Sequence, residues 1–169
     1  MSIWGTGILK GMRNTMRNML RGPITVQSLE SAIEYINTAM AVFRQKGLPV
    51  VFIQNMNQGN NLVPGEEDFE LSEKLKTLPS DLRITKTYGN AFRKTSLESD
   101  LRELGVDTVV VTGFCAEYCV LSTYRGAEDL DFTAVVLQDG LASSVPENIG
   151  FVQNISEIIS LGALEKALG

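Results

Sequence analysis

Two thiols and one absence bound the chemistry open to this chain. Cys115 and Cys119 are its only cysteines, and it contains no His. Without imidazole, the Ser-His-Asp and Cys-His families are excluded, as are zinc sites built on His, and four Cys ligands do not exist. Proton transfer in an enzyme of this composition falls to Lys, Asp, Glu, Tyr or Cys. Cys119 lies in VVVTGFCAEYCVLST, where a buried-strand pattern passes through Gly113 into a helical pattern. A thiol in the first turn of a helix is favoured as thiolate by the helix dipole and the unpaired N–H groups, and a nearby Lys favours it further. The same N–H groups could receive an oxyanion that develops during attack on a carbonyl. The alternative for Cys119 is a small buried hydrophobe. A redox pair of Cys115 and Cys119 lacks the usual Cys-x2-Cys spacing, and in a cytosolic chain free thiols are expected rather than a bridge.

A scaffold must bring such groups together. A short apolar run at 7–10 is a candidate first strand. Val26, Leu29, Ile33, Ile36, Met40 and Phe43 recur at spacings of three and four, which predicts a helix ended by Gly47. Residues 48–54 (LPVVFIQ) read as a buried strand and 83–86 as a third short one. Between them, 55–80 form a long loop with one helical turn expected from Phe69 to Leu75. A helix over 96–104 is closed by Gly105, and 107–113 (DTVVVTG) is an apolar run fit for a central parallel strand. A helix over 117–130, a buried strand over 132–137, a helix over 147–155, a strand at 157–160 and a final helix complete the series. Strands alternating with helices, each crossover returning right-handed, specify an α/β fold. The expected architecture is a three-layer α-β-α single domain, 1–169, with a mostly parallel six-stranded sheet.

In such folds ligands sit beyond the carboxyl ends of the strands. That selects 11–14, 54–57, 86–92, 113–119 and 139–144, and with them Lys86 and Cys119. The 169 residues suffice for one core without disulfide or metal. With 44% hydrophobic and 21% charged residues the chain is neither disordered nor fibrous. A net charge of −5 without a long Lys/Arg run disfavours nucleic acid and leaves small molecules as expected partners. No apolar run approaches the roughly 20 residues of a membrane helix, and the N-terminal residues lack a signal-peptide pattern, so a cytoplasmic location is expected. GTGILKG at 5–11 is discounted as a dinucleotide loop because four residues cannot supply the strand that must precede it. Arg13, Arg17 and Arg21 recur at helical spacing, as an anion or partner site or as a solvated face.

TGFCAEYCVLST resembles the nucleophile segment of the isochorismatase-like cysteine hydrolases: a strand, Gly, a few residues, then Cys-Val and a Thr. ITKTYGNAFRKTSLESDLRELGVDTVVVTG is similar to that family's Lys, Ala-Phe, Thr and Leu spacing running into the central strand. The likeness extends to LPVVFIQ and the helix before it, and linked motifs in order are more specific than either alone.

The resemblance implies Cys119 as nucleophile and Lys86 as the cation that stabilises the thiolate and the developing charge. It implies a cis Phe114–Cys115 peptide, with the amides of Cys115 and Cys119 as the oxyanion hole, and a homodimer or larger homo-oligomer. One position departs: where the family ends its first strand with an Asp that takes the thiol proton and later activates water, this chain has Gly11. Asn14 can only hydrogen bond and Lys10 has the wrong charge. The zinc-using nicotinamidase branch needs imidazole ligands, and isochorismate cleavage leans on the missing Asp, so neither is expected; no metal and no cofactor are implied. Substrate-binding candidates are Gln54 and the aromatics Phe69, Tyr88, Phe92, Phe114 and Tyr118, each aromatic having core packing as its alternative. Two functions stand side by side. One is a small-molecule hydrolase acting on an amide-like C–N bond through Cys119. The other is a catalytically silent relative that binds a metabolite or a partner protein.

Overall fold

The computed structural model describes residues 22–60 and 62–169. The strand expected at 7–10, the Gly11 position and Arg13, Arg17 and Arg21 lie outside the described residues. Within them the order is α1 (Pro23–Gln45), β1 (Val51–Asn55), a 3-10 turn (Gln58–Asn60), β2 (Leu82–Lys86), α2 (Leu97–Glu103), β3 (Thr108–Phe114), a π-helical turn (Ala116–Val120), α3 (Leu121–Glu128), β4 (Thr133–Ala142), α4 (Pro146–Asn154), β5 (Ile158–Ile159) and α5 (Leu161–Leu168).

The first helix begins where Pro23 presets the helical φ at a position whose N–H has no intrahelical partner. It ends at Gly47, whose φ of +68° reverses the chain at little steric cost. Its buried stripe is Thr25, Ala32, Ile33, Ala39 and Met40. The expected stripe began at Val26, which is 40% exposed. Small residues let α1 approach β3 and β4 closely, and the longer apolar side chains of the periodic pattern flank that contact.

Every strand pairing is parallel, in agreement with an α/β fold, but the expected single sheet is divided among the described residues. One sheet holds β1 and β2, the other β3, β4 and β5 in that order. The expected central strand, β3, is accordingly half-buried rather than buried along its length. β4 runs past its expected end at 137 to Ala142, because a register shift between Val111 and Gly113 lets pairing resume at Gly113 with Leu141. Asp139, at φ +64°, lies inside that irregularity. The helical turn expected near Phe69 is a series of tight turns, closed by bonds such as Phe69 N–H to Glu66 O (2.9 Å) and Leu75 N–H to Ser72 O (2.9 Å).

Alternate residues of β3 and β4 feed two hydrophobic clusters, which places the clusters on opposite faces of that sheet. Ala134 and Val136 join Leu97, Leu101, Val120, Tyr124, Phe132 and Val152 on the face of α2, α3 and α4. Leu137 meets Ala39 and Leu164, with Phe43 and Val110, on the face of α1 and α5. The long loop 56–81 is held to α1 by polar contacts. Asn37 spans Lys74 O and Lys76 N–H (both 2.9 Å), and Arg44 reaches Lys76 O (2.8 Å) and the carboxylate of Asp81 (2.7 Å).

Candidate active site

Lys86 is the last residue of β2 and is 4% exposed. An ammonium taken that far from water must spend its protons on partners. It has three: the carbonyls of Tyr88 (2.8 Å) and Gly89 (3.0 Å), and the sulfur of Cys119 (3.1 Å). The chain after β2 therefore curls around the ammonium and leaves one donor direction for the thiol. Among the described residues no carboxylate touches Lys86.

The sulfur is delivered by the segment after β3. The Phe114–Cys115 peptide is cis. Cys115 then caps the π turn, its carbonyl accepting from Tyr118 N–H (3.1 Å) and Val120 N–H (3.2 Å). The expectation of an α-helical first turn at Cys119 is corrected here: the residue sits in the π turn, and α3 starts at Leu121. π turns of this kind recur at functional sites because the extra residue re-aims a side chain.

Four residues earlier, Cys115 meets a different environment. It is buried, and its thiol donates to Glu117 (2.9 Å). Ser143 donates to the same carboxylate at 2.9 Å to Oε2 and 3.0 Å to Oε1, and the Asn148 amide donates to Oε1 at 2.8 Å. Burial first, and the bond to Glu117 second, push the Cys115 thiol up to about 12. Burial alone would raise Glu117. The hydrogen bonds it accepts from Cys115, Asn148, its own N–H and Ser143 outweigh that and hold the carboxyl below the ordinary carboxylate range. The cluster ties the π turn to the end of β4 and to α4.

The sequence candidates fall in several places. Gln54 is buried, and its amide donates to Phe69 O (3.1 Å), so these two fasten the long loop to β1. Phe69 is itself 9% exposed. Tyr88 contributes its carbonyl to Lys86, while its ring lies under Arg93 and Lys94. Phe92 stacks on Phe132 with ring centroids 5.6 Å apart and packs against the core, the alternative weighed for it. Phe114 is half-buried at the end of β3, and Tyr118 is 64% exposed. A depression of about 440 Å³ lies beyond β1 and β2, lined by Met56, Asn57, Gln58, Gly59 and Thr87. It adjoins Lys86 through Met56 N–H, which donates to Lys86 O (2.7 Å). Cys119 is not in its wall, so the chemistry is centred on the sulfur and ammonium rather than on this hollow.

Residues that sequence reasoning passed over are Glu117, Ser143, Asn148 and Thr123. The hydroxyl of Thr123 accepts from Ala91 N–H (3.1 Å) and lies 3.5 Å from Gly89 O, seating the Lys86 loop on α3. Glu117 stands two residues before Cys119 and Ser143 in the post-strand segment 139–144, signals of position without an indication of partner.

A family model described as the isochorismatase domain matches residues 14–151. The uncharacterized isochorismatase family protein YrdC of Bacillus subtilis is 32% identical over 114 residues, covering 66% of this chain and 61% of YrdC. The ureidoacrylate amidohydrolase RutB of Pseudomonas savastanoi pv. phaseolicola is 29% identical over 152 residues, covering 72% of this chain and 62% of RutB. The chain thus spans about three fifths of the length of these two relatives. The crystal structure of N-carbamoylsarcosine amidase from Thermoplasma acidophilum superposes with a TM-score of 0.74 at 21% identity, over 86% of this chain and 91% of that one, a likeness of fold.

Proposed function

The chain belongs to the isochorismatase family of hydrolases, and from that premise we propose that it acts on a small amide-like C–N substrate with Cys119 as nucleophile. The 3.1 Å contact between the Lys86 ammonium and the Cys119 sulfur carries the proposal. An ammonium with its other two protons fixed on carbonyls stabilises negative charge on that sulfur and on the oxygen that develops charge next to it. The amides of Cys115 and Cys119 are the proposed oxyanion donors. Attack by sulfur on the carbonyl carbon breaks the C–N bond, the amine leaves with a proton, and water then cleaves the thioester. Two relatives point the same way: RutB is named for ureidoacrylate hydrolysis and the Thermoplasma enzyme for N-carbamoylsarcosine.

The second half of that cycle is the weak one. Position 11 is Gly where a carboxylate base is expected. Glu117 is no substitute, since three side-chain donors occupy its carboxylate and it holds its proton poorly. Acylation supported by Lys86 with hydrolysis unsupported by a base predicts slow turnover and an acyl group retained on Cys119. With neither step measurable, the chain is a catalytically silent relative that keeps the pocket for a metabolite or protein partner.

The same proposal takes residues 1–169 as one domain in which the strand at 7–10 completes a six-stranded, three-layer sheet. It takes the unit to be a cytoplasmic homodimer or larger homo-oligomer that works without cofactor. The test is Gly11→Asp against the parent on a panel of primary amides and ureido compounds, with intact mass of the protein recorded alongside. Faster release of amine by the variant, and an adduct on Cys119 in the parent, support the hydrolase. Equal absence of product and adduct in both proteins removes it and leaves the silent relative.

A further inference from the structure

Lys86 and Cys119 hold a second chemistry that amide hydrolysis does not use. Sulfur becomes an electrophile once it carries an oxygen, and a sulfenic acid condenses with a thiol or with a nitrogen held against it. The Lys86 nitrogen lies 3.1 Å from the Cys119 sulfur and is fixed there by the carbonyls of Tyr88 (2.8 Å) and Gly89 (3.0 Å). Lys86 is 4% exposed, whereas Cys119 is half-buried. A small oxidant therefore has access to the sulfur, while bulk water has little access to the nitrogen beside it. A thiolate next to a cation is also the form of cysteine that is oxidised first.

The fate of an oxidised sulfur is set by the nucleophile that reaches it. The other cysteine of the chain, Cys115, is four positions away but engaged elsewhere. Its buried thiol donates to Glu117 (2.9 Å) and lies 3.8 Å from the Ser143 hydroxyl. Burial and the bond to Glu117 push it up to about 12, and a protonated thiol does not attack. Among the described residues the side-chain nitrogen that touches Cys119 is that of Lys86.

We propose that Cys119 and Lys86 form an oxidative modification site, at which hydrogen peroxide joins sulfur to nitrogen as a sulfenamide. The thiolate attacks one peroxide oxygen: the S–O bond forms, the O–O bond breaks, sulfur is oxidised and the departing hydroxide is reduced oxygen. That hydroxide takes one proton from the Lys86 ammonium and becomes water, which leaves a neutral amine against the sulfenic acid. The amine attacks sulfur, the S–N bond forms, the S–O bond breaks, and hydroxide leaves with a second amine proton as the second water. The link masks thiolate and ammonium together and keeps the sulfur from the irreversible step to sulfinic acid. A thiol reductant reverses it by attacking sulfur, releasing the amine as a mixed disulfide forms, and a second thiol then frees Cys119. The bond needs no substrate and no turnover, so it stands or falls apart from the hydrolase reading.

The test treats the parent and Cys115→Ser, in which a hydroxyl replaces the thiol as donor to Glu117, with hydrogen peroxide at neutral pH. Both proteins are expected to lose the mass of two hydrogens. Peptide mapping without reductant is expected to join the peptides of Lys86 and Cys119, and dithiothreitol to restore the starting mass. Lys86→Arg keeps the charge, but a guanidinium does not give up its proton. Its Cys119 is expected to gain oxygen and pass to a sulfinic acid that dithiothreitol does not reverse. A disulfide between Cys115 and Cys119 in the parent overturns the site, as does oxygen retained on the parent sulfur, either as sulfinic acid or between sulfur and nitrogen. No change at Cys119, or the same loss of two hydrogens in Lys86→Arg, overturns it as well, even if amides are hydrolysed. The joined peptides in a protein that hydrolyses nothing uphold the site and leave the silent relative.

Discussion

Two cysteines four positions apart are prepared for opposite fates, and the difference lies in what each sulfur touches. Cys119 faces an ammonium; Cys115 faces a carboxylate in a buried pocket. With its value pushed up to about 12, the Cys115 thiol stays protonated through neutral and mildly alkaline pH. Cys119→Ser is therefore expected to take up no alkylating reagent at pH 8 while the parent takes up one equivalent, as read by intact mass. Glu117 titrates on the other side of neutrality. Its folded value is lowered from 4.5, so its contribution to stability is present above that pH and is lost as pH falls through the folded value. Glu117→Gln is expected to show a flatter decline of melting temperature between about pH 5 and pH 3 than the parent. Cys119 and Lys86 were legible from residue type and from the rule that strand ends carry ligands. Glu117 was not, because an acid in a helical pattern reads as solvated, and its partners Ser143 and Asn148 lie 26 and 31 residues further along the chain.

At the scale of elements, the seat of the Lys86 loop on α3 is the feature that the site depends on most. Gly126 leaves room for Asn90, whose side-chain oxygen accepts from Phe92 N–H (2.9 Å) and turns the chain back toward the core. A methyl group at 126 would occupy the position of the Asn90 amide. Gly126→Ala is expected to preserve the far-ultraviolet circular dichroism of the fold and to slow alkylation of Cys119 severalfold. The displaced loop carries the Tyr88 and Gly89 carbonyls that aim the ammonium. Element type and order were readable from periodicity and glycine stops: α1, β1, β2, α2 and β3 each begin or end within a few residues of expectation. Elements set by tertiary geometry were not. The π turn at 116–120 has the same local composition as a helix start. The extension of β4 to Ala142 depends on pairing with Gly113 and Phe114 across a register shift that no local pattern encodes.

Across the whole molecule, the site is a product of topology. Lys86 ends β2 and Cys119 lies 33 residues further on, in the π turn that follows β3 of the other sheet, and the two meet because parallel strands present their carboxyl ends on one side. Helices on both faces of β3 and β4 pack there through two separate apolar clusters, one of which includes Ala116 and Val120 of the π turn that carries Cys119. The direct measurement is the rate at which iodoacetamide alkylates Cys119 at pH 7 in the parent and in Lys86→Met, which keeps the stem and removes the charge. A fall of about tenfold or more in the variant is the predicted result. Equal rates in two equally folded proteins would contradict the claim that the Lys86 ammonium prepares the Cys119 sulfur for attack.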